Sequence, residues 1–383
     1  MLNMLRLHQR LYNAALEQRI TAWRRLRQHV TFAEQCRDLT ELRADDELYA
    51  GLSAQSAQVT LKRLDLAFRA FFRRVEARQT PGFPRFRSFE RFSGWGYKTH
   101  GDGFRFTFGD GNRHGRLRLS GVGTMLARGR ARSLGDVVTC EIQYRAERWY
   151  ASLTIACVPQ RKHGNQKIGM DWGVETFATL ASEGGLFVDI ENPRFMRTAK
   201  AGLQAAQQGL SRKRRGSKNR HKAKRIVARI HRKTVNRRRE FLHQQSARII
   251  ASARLIATEG LAVANMTRSA RGTIEDPGRN VTQKAGLNRE ILSTAPTAFL
   301  SMLRYKAAEA GIAFVKVPTR TVKPSQRCSG CWSVRKKTLS DRQHVCACGT
   351  VLNRDRNAAR VNLLWALAQT GREPTGCLAS VAS

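Results

Sequence analysis

Acidic residues are scarce in this chain. Against 69 Lys and Arg it carries 29 Asp and Glu, a formal charge of +40 on 383 residues. So one-sided a balance points to a polyanionic partner, with nucleic acid ahead of an anionic membrane. Long apolar runs are missing too. No stretch of about 18 apolar residues offers a membrane-spanning helix. The N-terminal "MLNMLRLHQRLYNAALEQR" lacks the continuous apolar segment of a signal peptide. The expectation is a soluble cytoplasmic protein with no membrane partner. Cysteines are few, eight in all, too sparse for a disulfide scaffold. Four of them fall between Cys328 and Cys348, which suits a reducing compartment and one metal site. Cys36, Cys140, Cys157 and Cys377 lie far apart and read as ordinary small apolar residues. There is no internal repeat, and the length allows two or three domains.

What is present changes texture along the chain. From about Leu5 to Val75, apolar residues such as Leu11, Ala15, Leu61, Leu64, Phe68 and Phe72 recur at helical steps, predicting a small helical bundle. From Gln79 to Gln160, Gly and Pro punctuate alternating segments ("FRFTF", "RLRLS", "DVVTCEIQYR", "RWYASLTIAC"), predicting a β-barrel-like domain. Phe83, Phe86, Phe89 and Phe92, interleaved with Arg85, Arg87 and Arg91, suit base stacking beside phosphate contacts, or equally a barrel core with a solvated basic face. "KIGMDWGVETFATLASEGGLFVDIE" reads as three strands with a Gly-Gly turn between the last two.

Between Ser211 and Glu240 fifteen of thirty residues are Lys or Arg. Ala223, Ile226 and Ile230 mark an apolar stripe there, predicting an ordered helix whose cationic face follows a phosphate backbone. The candidate contacts are Arg214, Arg215, Lys222, Lys224, Arg225, Arg232, Lys233, Arg237 and Arg238. A further helix, "FLHQQSARIIASA", leads to a strand ending at Glu259, and then to a long polar loop from Thr267 to Glu290 suited to a mobile lid. The next helix is expected to start at a Ser293 or Thr294 cap with Pro296 in its first turn. Its buried stripe is Phe299, Leu303, Ala307 and Ala310, and Gly311 stops it. A strand, "AFVKVP", and a final helix, "NAARVNLLWALAQ", complete the pattern.

Two constellations carry chemistry. Cys328 and Cys331, then Cys346 and Cys348 before Gly349, present paired thiolates for one tetrahedral, structural zinc. The second pair is one residue tighter than usual, which leaves His344 open as a substitute ligand. The other constellation is acidic: Asp171 and Glu259 end apolar strands, and Asp355 opens the last helix. Taken singly these acids suit a turn, an ion pair and a helix N-terminus. Converging, they suit divalent ions that activate water against a phosphodiester, with magnesium the natural choice.

In this order, "IGMDWGVETFATL", "LIATEGLAVANM" and "CSGC…CACGTVLNRDRNAARVNLL" resemble the three RuvC segments of the TnpB family, transposon-encoded RNA-guided DNA endonucleases akin to compact type V CRISPR effectors. "GFPRFRSF" and "VPTRTVKPSQRCSGC" agree with that resemblance.

The resemblance implies an α+β multidomain chain. Its parts would be a helical recognition domain over 1–78, a β-barrel wedge domain over 79–160 and an RNase H-like (RuvC) core over 161–325. A zinc ribbon over 326–350 that binds target nucleic acid, and a last helix and tail over 351–383, would follow. It also implies metal-binding catalytic acids at Asp171, Glu259 and Asp355, holding Mg2+ or Mn2+, and Zn2+ at Cys328, Cys331, Cys346 and Cys348. The implied partners are a guide RNA from the transposon end and double-stranded target DNA, in a prokaryotic cytoplasm and at the nucleoid when bound. The first acid of the family's D-R-D-x-N-A-A pattern is replaced here by Asn353, and the family's usual first strand has no counterpart before the first helix. The competing expectations are an RNA-guided repressor with little or no cutting, and a guide-independent RuvC-like resolvase.

Overall fold

The structure is a computed structural model and describes residues 1–131, 133, 135–338 and 341–370. The expectation for Cys377 lies outside them. The chain divides into two compact units, Met1–Pro159 and Gln160–Ser383. No helix among the described residues is long and apolar enough to cross a membrane.

In the first unit the predicted helical periodicity resolves into α1 (Leu2–Leu26), α2 (Phe32–Asp45), the short α3 (Glu47–Ala50) and α4 (Ala54–Glu76). Local chemistry sets the breaks. Thr31 and Glu34 form a reciprocal capping box at the start of α2, and the Asp46 and Ser53 side chains cap α3 and α4. The strands that follow are β1 (Gly94–Tyr97), β2 (Phe104–Phe108), β3 (Arg113–Leu119), β4 (Gly123–Arg130), β5 (Asp136–Arg145) and β6 (Arg148–Ala156). Among the described residues they form two antiparallel sheets, in the orders β1-β5-β6 and β2-β3-β4.

The predicted alternation is visible in β2 and β3, where Phe104, Phe106, Leu117 and Leu119 point inward and Arg105, Arg116 and Arg118 outward. β1, buried along its whole length, has no such alternation, and β4 keeps only a faint one, with Met125 and Ala127 half-buried against the core; both escaped the sequence reading. Helices and strands share one core: Leu5 and Leu16 of α1, Leu61 and Leu64 of α4, Trp95, Leu119 and Ile142. Inside it, His8 stacks on Trp95 at 5.4 Å and meets the Thr60 hydroxyl at 2.8 Å, while burial and the nearby Arg63 hold its pKa down to about 3.

The second unit is built on a five-stranded sheet. Its first three strands, β7 (Gln166–Trp172), β8 (Thr176–Ser182) and β9 (Phe187–Glu191), form an antiparallel meander whose second turn has Gly185 at φ +80°. Two helices, α5 (Phe195–Ser211) and α6 (Lys218–Ser252), lead to β10 (Ala253–Glu259), which lies parallel to β7. The short α7 (Val263–Met266), then α8 (Val281–Thr294) and α9 (Pro296–Ala310), lead to β11 (Ala313–Val317), parallel to β10. The spatial order is β11-β10-β7-β8-β9. After α10 (Thr319–Val322), a hairpin of β12 (Gln343–Val345) and β13 (Val351–Asn353) precedes the last helix, α11 (Arg354–Thr370).

Side-chain parity splits this core in two. Ile168, Met170 and Ile256 meet Leu242 and Ile249 of α6 and Phe299 and Leu303 of α9. Leu255, Ala257 and Val317 meet Val361, Leu363 and Ala366 of α11. The sheet is therefore covered on both faces.

Three expectations need correction. The basic stretch is not one helix from Ser211: Gly216, at φ +81°, breaks it, and the Ser217 hydroxyl accepts from Arg220 N at 3.1 Å to restart it. With no Gly or Pro after that point, α6 runs unbroken through Ser252, merging two predicted helices. Its expected stripe is weak, since Ile226 stays 45% exposed. The polar loop is shorter than read, because α8 takes up everything from Val281. The next helix begins not at a Ser or Thr cap but at Ala295, held at φ 53°, while Thr294 Oγ1 donates back to Ile291 O at 2.7 Å.

Candidate active site and metal centre

Asp171 lies in β7 opposite Thr179 of β8, and Glu259 ends β10 opposite Val317 of β11. Gly169 of β7 and Leu255 and Ala257 of β10, beyond the irregularity after Ala253, face α11, and Asp171 and Glu259 share their parity, so their carboxyls emerge on that side at the carboxyl ends of the strands. Asp355 sits in the first turn of α11. That helix is seated closely. An added Cβ on Gly169 would lie 2.1 Å from Ala359 O, and the buried Asn362 donates to Met170 O at 3.0 Å. Asn353, read from sequence as a lost acid, acts instead as a cap for α11, its Oδ1 accepting from Asp355 N at 2.8 Å.

The structure thus brings the three acids together. Asp171 and Glu259 are hydrogen-bonded through their carboxyls. Burial, then the charges of Glu259 and Asp355, push Asp171 well above the usual carboxylate range, with Arg354 pulling the other way. Burial and Asp355 also raise Glu259, opposed by the Asp171 hydrogen bond. Arg354 Nε lies 3.7 Å from Asp355 Oδ1. Two buried carboxyls raised by their surroundings beside a third acid form a site short of positive charge. The donors are all hard oxygens, which fits a divalent cation of the magnesium type.

The cysteines form a second site. Their four Sγ atoms lie within 4.8 Å of one another, with Cys328–Cys348 at 3.6 Å and Cys331–Cys346 at 3.5 Å. Zinc–sulfur bonds of about 2.3 Å set tetrahedral edges of about 3.8 Å, so the set fits zinc. The tight second pair is accommodated by a turn in which Gly349 N donates to Cys346 O at 3.0 Å with Gly349 at φ +88°. Hydrogen bonds from Cys348 N–H, Ser333 and Cys331 hold the Cys346 thiol down to about 6. The cluster is complete without His344, whose Nδ1 faces Lys337 Nζ.

This knuckle is tied to α11 by Asn357, which is fully buried. Its Oδ1 accepts from Ser329 N at 3.0 Å and its Nδ2 donates to Arg327 O at 2.7 Å, on either side of Cys328. The hairpin and Asn357 therefore fix the start of the helix that carries Asp355. Sequence reasoning passed over Asn357, Asn362 and Gly169, because their partners are distant backbone atoms.

Residues 140–270 match the OrfB_IS605 family, described as "Probable transposase", and residues 297–362 match a Cas12f1-like TNB domain. A Streptomyces pristinaespiralis protein named "Putative RNA-guided DNA endonuclease" is 32% identical over 369 residues, spanning 94% of this chain and 83% of its own. The chain belongs to the TnpB family of RNA-guided DNA endonucleases. InsQ of Escherichia coli K12, another relative named in the same terms, is 33% identical over 348 residues, covering 86% of this chain and 81% of InsQ. The solved Cas12f1–sgRNA–target DNA complex shares the fold, with a TM-score of 0.60 at 14% identity over 94% of this chain and 81% of that one.

In this TnpB-family chain the basic candidates are not uniform. Arg214 and Arg215 lie in the turn between α5 and α6, not on a helix. Lys222, Lys224, Arg225, Lys233 and Arg237 are exposed on α6, and Arg232 is half-buried. Arg238 donates to Ser293 O at 3.2 Å and closes the carboxyl end of α8.

Zinc removal gives a direct check on the knuckle. Cys328→Ser is expected to lower bound zinc from about one ion per chain to none, measured by atomic absorption after dialysis. Unchanged zinc content would contradict the four-cysteine site.

Proposed function

We propose that the second unit is a RuvC-like nuclease core of RNase H type and that the whole chain is an RNA-guided DNA endonuclease of a transposon. On this reading the first unit supplies the helical recognition and wedge parts, and the knuckle is a zinc ribbon facing target nucleic acid. The observation that carries the proposal is the convergence of Asp171, Glu259 and Asp355, distant in sequence, at one end of a sheet covered on both faces. The family membership supports it, as does the +40 charge, suited to an RNA and a DNA strand together.

The three acids would hold Mg2+ or Mn2+, which supplies a water of lowered pKa and neutralises charge on the phosphate under attack. The chain's own part is preparatory. Asp171 and Glu259, raised by burial, would have to be ionised to act as ligands, any proton passing to solvent; Asn353 and Asn357 fix the helix that presents Asp355, and Arg354 adds a positive group beside it. Base pairing between the guide RNA and one DNA strand supplies the sequence specificity, the protein holding the hybrid by its backbone. A cytoplasmic, nucleoid-associated location follows from those partners.

The test is to purify the chain with the RNA it carries and supply plasmids with and without the sequence complementary to that RNA, in Mg2+. Cutting confined to the matched plasmid and lost after ribonuclease treatment is expected. Cutting without RNA would favour the resolvase, and matched binding without cutting the repressor.

A further inference from the structure

The first unit carries a cleft for which the nuclease reading has no use. It encloses about 520 Å3 between the carboxyl-terminal parts of α1 and α4, lined chiefly by Trp23, Arg24, Phe68, Phe71, Phe72 and Phe83. Phe83 comes from the segment after α4 and packs edge-on against Phe68 and Phe71, at 5.6 and 5.3 Å with interplanar angles of 89° and 83°. Arg19, held by Gln35 at 2.9 Å and by Asp65 at 3.5 Å, lies over Phe68 and fixes the floor. These rings are not simply core. Trp23, Phe72 and Phe83 stay 54%, 47% and 48% exposed. Large aromatics clustered at a surface mark a place where something docks.

Charge narrows the choice of occupant. The last turn of α1 carries Arg24 and Arg25, and that of α4 carries Arg73 and Arg74, all exposed. A second copy of a chain with a net charge of +40 would bring like-charged rims together. Arg24 lines the cleft itself, and the Arg27 guanidinium lies over the Trp23 ring at 5.8 Å; aromatic rings beside arginines suit flat bases on an anionic backbone, since any base stacks on an aromatic ring while arginines take the phosphates.

We propose that this cleft holds an unstacked base of a single-stranded nucleic acid, with Trp23 and Phe72 as the stacking faces and Arg24, Arg25, Arg73 and Arg74 on the adjoining phosphates. The inference rests on the reading of the chain as a nucleic-acid-guided protein and adds a site apart from the acids. It predicts a base-dependent contribution to binding that the acids do not supply.

The test uses the full chain, freed of RNA, in EDTA, so that no step depends on cutting and failure of the nuclease reading leaves the result intact. The probes are 20-nucleotide oligothymidylate, oligouridylate and an abasic strand of equal charge, with 5-iodouracil versions for photocrosslinking. Wild-type protein is expected to bind a base-bearing strand at least about fivefold tighter than the abasic one. Trp23→Ala and Phe72→Ala, both at exposed rings, should shrink that gap without altering the salt dependence, which reports phosphate contacts. Crosslinks should map to peptides containing Trp23, Phe72 or Phe83, and the two base-bearing strands show whether RNA or DNA is preferred. An unchanged gap, crosslinks only elsewhere, or a wild-type dimer in sedimentation that Trp23→Ala dissociates would overturn the proposal.

Discussion

Asp171→Asn is expected to lower Mg2+-dependent cutting of a matched plasmid by about a thousandfold or more, the equivalent of several kcal/mol of charge stabilisation. The same substitution should raise the melting temperature of the metal-free protein at neutral pH. Burial, Glu259 and Asp355 raise the carboxyl of Asp171 in the folded state. A carboxyl raised in this way binds its proton more tightly folded than unfolded. Its stabilising effect is complete below its unfolded pKa near 4 and is lost as pH climbs through the folded value. The mutant's advantage should therefore be small at pH 4 and widen toward pH 8 in thermal melts with EDTA. Divalent ions should stabilise wild type more at pH 8 than at pH 5, because they compete with protons for carboxyls that burial raises. An Asp171→Asn protein that cuts normally, or melts lower at every pH, would contradict this description of the site.

Gly169→Ala is the second large effect. Gly169 lies two residues before Asp171, on the same face of β7, and α11 rests directly on it. An added methyl would meet Ala359 O at 2.1 Å and both Leu363 Cβ and Leu363 N at 2.7 Å. Two of these contacts are backbone, so relief requires lifting the helix rather than turning a side chain. Overpacking of this kind costs about 3 kcal/mol, or a fall of roughly 10 °C in melting temperature for a unit of this size. The shift also carries Asp355 away from Asp171, so divalent-ion stabilisation should fall in the protein that remains folded. A melting temperature within a degree of wild type would show that α11 does not pack as described.

How much of this was legible in the sequence depends on the kind of interaction. Asp171 and Glu259 stood out because acids are scarce here and these two sit in otherwise apolar strands. The cysteine pairs were legible by spacing, since two ligands close in sequence can reach one ion. Helices α4 and α9 and strands β2, β3 and β10 followed from periodicity, which records which face is buried. Strand β1 did not, because "GWGY" is buried on both faces and has no alternation to read. The break before α6 turned on Gly216 within a run of like charge, where periodicity is faint.

The roles of Asn353, Asn357 and Asn362 were not legible for another reason. An asparagine in a helical segment is polar filler until its partner is known. Here the partners are a helix N–H, the backbone flanking Cys328 and the carbonyl of Met170. Asn353 is instructive: by pattern it is a missing acid, by geometry a cap that an aspartate would serve equally well. Its presence leaves Asp355 as the carboxylate that the last helix offers.

Asp355 is the acid whose sequence context is most ordinary, since a helix N-terminus favours any acid. The most direct test of the three-acid site is therefore the cutting rate of a matched plasmid by RNA-loaded protein in Mg2+, wild type against Asp355→Asn. Product is expected from wild type and essentially none from Asp355→Asn, with guide RNA and target DNA still bound by both. Equal cutting by the two proteins would contradict a site in which Asp355 holds the metal.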